Sequence, residues 1–229
     1  MEKNIVKLGK EKEVEILPWK TKTKKEFLKT VKEFAENGKE MKEDDILRVL
    51  LYPYVNTKNI YLSDDEKQYL LVKIRDISLP QDIEYTINCS NCDGIIDVRC
   101  KPLEMVNYQE NQYPVIKNDI LWEDLQGDTK PLIQSIIRKY GDYLPQTIEM
   151  LLHIKKYKDE EITDFEKMIE IYEDLSLMES ETIVDTYDEV KSKMLIEKDI
   201  KCDLCEFEDT YYFDTIPDLF EPLLPKEAQ

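Results

Sequence analysis

Two Cys-x-x-Cys pairs, Cys89/Cys92 and Cys202/Cys205, are the residues of this chain whose types and spacing indicate chemistry. Thiolates at positions i and i+3 of a tight turn can bind one metal ion from the same side. Two such turns supply four sulfurs, the ligand set of a closed tetrahedral zinc site. We therefore predict one structural zinc ion per chain, bound by all four cysteines. A closed site has no open coordination position for a substrate, so the predicted role is structural rather than catalytic.

Two other interpretations of the cysteine pairs compete with a zinc site: an iron site and a redox-active dithiol. Iron remains open because a four-thiolate iron site requires a similar geometry. A redox-active dithiol is typical of a βαβ setting in which the pair opens a helix, whereas the residues around both pairs here alternate as in strands. Cys100, the fifth cysteine, falls on the inward phase of the strand after the first pair, which predicts a buried thiol outside the metal site.

The two pairs share the frame Ile-x-x-x-Ile-x-Cys-x-x-Cys, which starts at Ile83 and again at Ile196. Apolar and polar residues alternate around each pair, a pattern typical of β-hairpins with the cysteines at the turn. Gly94 can supply a positive φ in the first turn. A shared metal ion requires that the two hairpins, far apart in the sequence, meet in space.

Helical periodicity and capping residues predict the elements that position these hairpins. Ser63 with Glu66, and Thr163 with Glu166, have the spacing of capping boxes. Residues 105–122 are polar and aromatic without clear periodicity, so we expect an irregular excursion there. The predicted helices cover about residues 21–37, 44–51, 63–77, 131–140, 145–157, 163–172 and 180–193.

The resulting fold class is α+β: a predominantly helical chain in which two zinc-knuckle β-hairpins join into one zinc-ribbon-like unit around a helical insertion. This interpretation divides the chain into an N-terminal strand with helices, a discontinuous zinc-ribbon-like unit, the helical insertion and a C-terminal tail. The corresponding boundaries are 1–80, 81–102 plus 195–214, 103–194 and 215–229.

Charge and composition exclude several classes of function. The net charge of the 229 residues is −18, and residues 158–229 hold 7 lysines against 23 acidic residues. Such a field repels phosphates, so nucleic-acid binding is disfavoured. The apolar runs are too short to span a bilayer. Residues 1–12 are charged throughout, unlike a signal peptide, so we expect a protein kept in a reducing cytoplasm.

Candidate catalytic residues are scarce in this sequence. His153 is the only histidine, and its position in a predicted helix favours a surface or half-buried side chain over a catalytic base. No Gly-rich phosphate loop, nucleophile elbow or HExxH pattern is present, so we predict a protein that is not an enzyme. The aromatic residues are more suggestive, because exposed loop aromatics often anchor protein interfaces. The candidates are Tyr52, Tyr54, Tyr61, Tyr108, Tyr113 and Trp122.

The order of these features resembles a known family. A capped helix ending in Glu66-Lys-Gln-Tyr-Leu-Leu-Val-Lys-Ile-Arg75 precedes the first knuckle, and Thr163-Asp-Phe-Glu-x-x-Ile-x-x-Tyr-x-x-Leu175 precedes the second. An Ile216-Pro-Asp-Leu-Phe segment follows. Over about residues 12–222, this set resembles the baseplate hub and hub-assembly proteins of T-even-type contractile-tailed bacteriophages.

The resemblance implies a non-enzymatic component of the tail baseplate, or a factor that assembles its hub, with other baseplate and tail proteins as partners. It implies a location in the host cytoplasm during assembly and in the virion tail afterwards. The family brings no catalytic residues, and only the four knuckle cysteines carry over, as a metal site. The alternative is a zinc-ribbon adaptor acting in transcription or on nucleic acid, which a salt-sensitive binding curve would reveal. The oligomeric state stays open.

Overall fold

A computed structural model of the chain describes residues 4–39, 41–57, 60–79, 81–127, 129–141 and 143–212. Within these residues the chain forms seven α-helices and several small antiparallel sheets, so the predicted α+β class is confirmed. The predicted tail, residues 215–229, lies outside the described residues. None of the described helices is long and apolar enough to cross a membrane.

The helices fall close to their predicted positions. Two short 3₁₀ turns, Tyr52–Tyr54 and Pro102–Met105, each contain a proline in the first turn, where the missing N–H is not needed. The α-helices are α1 Thr21–Glu36, α2 Glu43–Leu50, α3 Asp64–Ser78, α4 Lys130–Lys139, α5 Pro145–Leu152, α6 Phe165–Glu173 and α7 Leu177–Val190.

The strands form hairpins and short ladders. The pairs β1–β2 and β3–β4 are separate hairpins, β5 and β11 flank β10, and β6 to β9 form a four-stranded antiparallel sheet in chain order. The strands are β1 Asn4–Lys7, β2 Glu13–Ile16, β3 Ile83–Asn88, β4 Ile95–Cys100, β5 Val106–Gln109, β6 Val115–Lys117, β7 Ile120–Trp122, β8 Ile154–Tyr157, β9 Glu160–Glu161, β10 Lys193–Lys201 and β11 Glu208–Tyr212.

Local capping explains where three helices begin. The capping box at Ser63 and Glu66 opens α3 as predicted. The N-cap of α6 lies one residue later than predicted, at Asp164, whose carboxylate accepts the Lys167 N–H while the Thr163 hydroxyl donates to that carboxylate. Helix α7 begins at a capping box that the prediction missed, formed by Ser176 with Glu179.

The buried apolar side chains form two clusters. The first combines the β1–β2 hairpin, α2, α3 and both cysteine hairpins, with fully buried residues such as Leu50, Leu70 and Ile74. The second lies between the four-stranded sheet and helices α5 to α7, around Trp122 and Met168. Every residue in the second cluster falls between positions 113 and 190, the middle of the chain.

Two expectations about this middle segment are wrong. Residues 105–122 are not an irregular excursion, because they contain β5, β6 and β7. The helix predicted for 145–157 ends at Leu152, and β8 follows, because Ile154–Tyr157 pairs with β7 on one side and β9 on the other. Strand pairing overrides the helical preference of this lysine-containing segment. The insertion is therefore not purely helical but mixed.

Candidate metal centre

The two hairpin turns bring all four predicted cysteine ligands together. Their four Sγ atoms all lie within 4.8 Å of one another. Cys89 Sγ is 3.7 Å from Cys205 Sγ, and Cys92 Sγ is 3.6 Å from Cys202 Sγ. Four sulfurs bound at about 2.3 Å to one tetrahedral ion would stand about 3.8 Å apart. The spacing between the hairpins therefore suits a metal ion of the size and geometry of zinc.

Each cysteine pair sits in a turn with the same backbone hydrogen bonds. The first cysteine donates its N–H to the carbonyl five residues later, from Cys89 to Gly94 at 2.7 Å and from Cys202 to Phe207 at 2.9 Å. Its own carbonyl accepts the N–H four residues later, from Asp93 at 3.2 Å and from Glu206 at 2.9 Å. This backbone folds both cysteine side chains of a pair toward the same point.

The residue with positive φ in the first turn is not Gly94, as expected, but the residue before it, and the second turn has its positive φ at the equivalent position. Asp93 has φ 54° and Glu206 has φ 59°, while Gly94 is not among the residues with positive φ. Gly94 is needed for a different reason. A Cβ atom there would lie 2.9 Å from Leu204 Cδ1 and 3.2 Å from Cys92 Sγ, closer than normal contact. The glycine therefore allows the two turns to approach each other.

Both turns donate hydrogen bonds to the sulfurs, the second through the Phe207 backbone, which donates to Cys205. Asn91 donates its backbone N–H to Cys89 Sγ at 3.4 Å and its side-chain amide to Cys205 Sγ at 3.5 Å. Donation from Asn91 lowers the pKa of Cys205 to about 6, because it stabilises the thiolate. The hydrogen bond shared with Cys205 raises the pKa of Cys92 to about 12. Donors of this kind orient and stabilise metal-binding thiolates.

Burial differs within each pair. Cys89 and Cys202, the first cysteines, are buried, whereas Cys92 is exposed and Cys205 is half-buried. The cluster therefore lies at the surface, with its inner side closed by the first apolar cluster. Three apolar residues within or next to the two turns are exposed, and Leu204, between the cysteines of the second pair, is 78% exposed. The other two are Ile95 and Phe207.

The remaining residues singled out from the sequence lie away from this cluster. Cys100 is buried in β4, as predicted, and burial raises the pKa of its thiol. His153 is not a surface or half-buried residue, because it is only 3% exposed, stacks on Tyr113 and has Nδ1 2.7 Å from the Glu123 carbonyl oxygen. Burial lowers its pKa to about 3, so the ring stays neutral near pH 7.

The expected set of exposed aromatic anchors is mostly wrong. Trp122, Tyr113, Tyr54 and Tyr61 are buried. Tyr108 is half-buried and stacks on Tyr69 with ring centroids 3.8 Å apart. Of the six, Tyr52 is exposed. Tyr113 and Trp122 belong to the second apolar cluster, because the segment 105–122 forms short strands that pack against helices.

Sequence reasoning also missed a cluster of buried charges formed by Lys12, Glu66 and Asp124. Glu66 was recognised as a capping residue, but its second role, as the ion-pair partner of Lys12, leaves no local pattern. Chain positions this far apart give no periodic signal. The arrangement is visible only once the fold is known.

Comparison with known families accounts for all the described residues of the chain. The model of a family described as T4 bacteriophage base plate protein matches residues 1–221. This chain belongs to that family. The match includes both cysteine pairs and the segment between them, and it confirms the resemblance drawn from the order of motifs. Baseplate membership makes the chain a structural component of the phage tail. No curated protein and no solved structure matches it.

Proposed function

We propose that this chain is a non-enzymatic scaffold of the baseplate hub, or a factor that assembles the hub, and that one zinc ion holds its two cysteine hairpins together. The family match supports the place in the baseplate. The observation that supports the zinc is the spacing of the four sulfurs, 3.6 and 3.7 Å between hairpins, which suits a single tetrahedral ion.

In this proposal zinc acts as a cross-link between segments that have no other covalent connection nearby. Cys89 and Cys92 would hold it from the β3–β4 turn, and Cys202 and Cys205 from the β10–β11 turn. Zinc supplies strong bonds to thiolates without redox chemistry, and four protein ligands leave no position for a substrate. The Asn91 amide would support the bound thiolates.

The two hairpins would then form one discontinuous zinc-ribbon-like unit, residues 81–102 plus 195–214. It would stand between the N-terminal segment, residues 1–80, and the insertion, residues 103–194. Support comes from the matching hydrogen bonds of the two turns. The unit would be anchored in the rest of the fold through β10, whose residues 193–196 pair with β5 while residues 197–201 pair with β11.

We propose other tail and baseplate proteins as the partners. The exposed apolar side chains around the cysteine turns, Leu204 and Ile95, would be held in fixed positions by the zinc, and apolar groups of this kind are suited to burial in an interface. The chain would work in the host cytoplasm during assembly and in the tail baseplate of the virion.

Affinity purification from assembling particles tests the proposed role. We expect a tagged chain to recover other baseplate proteins, and recovery of the free chain alone at every assembly stage would contradict the scaffold. The metal is tested separately by elemental analysis, with about one zinc per chain expected. A visible absorption band would indicate iron instead, and metal-free protein that keeps its full stability would refute the metal site.

A further inference from the structure

Three charged side chains from distant parts of the chain, two of them buried and one half-buried, lie in contact. Lys12 lies between β1 and β2, Glu66 in the first turn of α3, and Asp124 directly after β7. Lys12 Nζ is 2.7 Å from Glu66 Oε2 and 3.0 Å from Asp124 Oδ2. The side chains of Lys12 and Glu66 are only 7% and 1% exposed, and that of Asp124 is 20% exposed. One amine thus contacts two carboxyl groups, of which Glu66 is shielded from water and Asp124 is half-buried.

The surroundings hold the Glu66 carboxyl group in place. Asn111 donates its side-chain amide to Glu66 Oε1 at 2.9 Å, and the Ser63 N–H donates to Oε2 at 2.9 Å. Asn111 itself is buried against Gly9, where a Cβ atom would lie 2.4 Å from Asn111 Oδ1. Gly9 is therefore required for the contact that positions Glu66. Such support resembles the fixed geometry of a reactive site more than that of a surface ion pair.

Water reaches the three groups unequally. Glu66 borders an enclosed cavity of about 10 Å³ whose other walls include the aromatic residues Tyr61, Tyr113 and Tyr187, whereas Lys12 and Asp124 also line an open cleft of about 360 Å³. A cavity of about 10–15 Å³ holds at most one water molecule. The Tyr61 ring centroid is 5.7 Å from Lys12 Nζ. The enclosed, aromatic side of the site disfavours an uncompensated charge.

The charges of the cluster do not balance when all three groups are ionised. One ammonium faces two carboxylates, which leaves one uncompensated negative charge in the interior. Burial raises the pKa of Glu66 and of Asp124, so binding of one proton is the ready way to neutralise the site. The neutralised cluster then contains a carboxylic acid, a carboxylate and an ammonium in direct contact.

We propose that Lys12 and Asp124 condense to an intramolecular amide, an isopeptide bond, with Glu66 as the catalytic residue that accepts a proton from the amine. The contact distances already place the nucleophilic nitrogen against the acceptor carboxyl group, and groups held this close react as if at very high concentration. The proposal is independent of the zinc site and of the baseplate role.

The reaction balances without an oxidant or any added reactant. The Lys12 ammonium gives one proton to the Glu66 carboxylate, and the neutral amine attacks Cγ of the protonated Asp124 carboxyl group. A C–N bond forms, the C–OH bond breaks, and the hydroxyl leaves with a second amine proton as water. The third proton stays on the amide nitrogen. Glu66 ends as a neutral acid, so the site carries no net charge before or after the reaction.

The bond would connect the two apolar clusters covalently. Lys12 belongs to the hairpin that packs in the first cluster, whereas Asp124 follows the strand that contributes Trp122 to the second. A cross-link at this point would close most of the N-terminal half of the chain into one covalent loop. The middle segment could then not be pulled away from the N-terminal segment without breaking an amide.

The intact mass of the full-length protein, measured in denaturant, tests the proposal. We expect a mass lower than that of the sequence by one water molecule. Trypsin should then yield a branched peptide in which residues 11–20 are joined to residues 118–138 through Lys12 and Asp124. A denatured wild-type chain at its full sequence mass would overturn the proposal, whatever the variants do.

Variants identify the chemistry. Lys12→Arg and Asp124→Ala should retain their full masses, since each lacks one reacting group. Asp124→Asn should lose one ammonia instead of one water, because the same amide forms with a different leaving group. Its mature mass should therefore equal that of the mature wild type. An Asp124→Asn chain at full mass in a folded protein would contradict the attack on this carbonyl carbon.

Glu66→Gln tests the proton transfer, because glutamine preserves the capping box with Ser63 but cannot accept the proton. We expect bond formation to slow by about 10²-fold or more, so that the freshly purified variant, folded by circular dichroism, remains at full mass. The matched control is Asp64→Ala, which removes an exposed carboxylate in the same helix turn, paired with Lys67. This variant should lose water as the wild type does. Equal water loss from Glu66→Gln would overturn the role of Glu66.

Discussion

The turn at Cys89 and the turn at Cys202 have the same two backbone hydrogen bonds and a positive φ at the same position, although they share few residues besides the cysteines. Their surroundings differ. The first turn supplies the amide donors from Asn91 and the close approach at Gly94. The second turn directly follows β10, whose residues 193–196 pair with β5. The two turns thus share the backbone conformation that directs two sulfurs to one point, whereas the Asn91 side-chain donor belongs to the first turn and the anchoring through β10 to the second.

The largest expected effect comes from comparing an exposed with a buried cysteine. If zinc holds the turns together, Cys92→Ser should destabilise the protein about as much as Cys202→Ser, by about 4 kcal/mol or more in the free energy of unfolding, because each removes one of four ligands. If packing alone mattered, only the buried cysteine would be costly. Chemical denaturation with zinc analysis distinguishes the two cases.

Cys100→Ala is the control for these cysteine variants. It removes a buried thiol outside the cluster, so it should cost about 1–2 kcal/mol of stability while zinc content stays unchanged. Loss of zinc from this variant would show that the four-cysteine assignment is incomplete. A Cys92→Ser protein with the full stability of the wild type would contradict the proposal that zinc holds the two hairpins together.

A smaller effect is expected from Gly94→Ala. The added methyl group would press on Leu204 and on the Cys92 sulfur, and overpacking of this kind costs about 1–3 kcal/mol. Phe207→Ala removes the side chain at the equivalent position of the second turn. That ring is partly exposed, so we expect less than about 1 kcal/mol. Thermal unfolding measures the stability lost by each variant. Equal losses would refute the expected difference between the two turns.

Asn91→Ala should have a third, still smaller effect. It removes the side-chain donor to Cys205 but keeps the backbone donor to Cys89. Loss of a supporting hydrogen bond typically weakens a metal site by about 10-fold to 100-fold, and we expect the lower end because the side chain is exposed. Competition with a chelator measures the change. An unchanged zinc affinity would mean that the Asn91 side chain does not support the bound thiolates.

Removal of the metal should affect hydrogen exchange in the two turns differently, because only the second is anchored through β10. After chelation we expect the amides of Cys89 and Asp93 to lose hydrogen-exchange protection. That of Met194 should keep most of its protection, because it donates to the Asp65 carboxylate and this half of β10 stays in the core and paired with β5. Equal loss in both places would indicate that the anchoring through β10 is not independent of the metal.

Local patterns predicted the features of this protein that depend on neighbours in sequence. The repeated frame identified Cys89 and Cys202 at hairpin turns, and the box at Ser63 identified the start of α3. Prediction failed where the partner is remote. Residues 154–157 form β8 only because β7 is available to pair with them, and nothing near Lys12 indicates that it contacts Asp124.

The position of the two half-sites in the chain has a consequence for the order of events during synthesis. Cys89 and Cys92 leave the ribosome long before Cys202 and Cys205, with a delay on the order of ten seconds at typical elongation rates. Until then the first hairpin offers only two thiolates, which hold zinc weakly compared with four. Tight metal uptake would therefore mark the completion of almost the whole described chain, and a prematurely terminated copy would be recognisable by its failure to retain zinc.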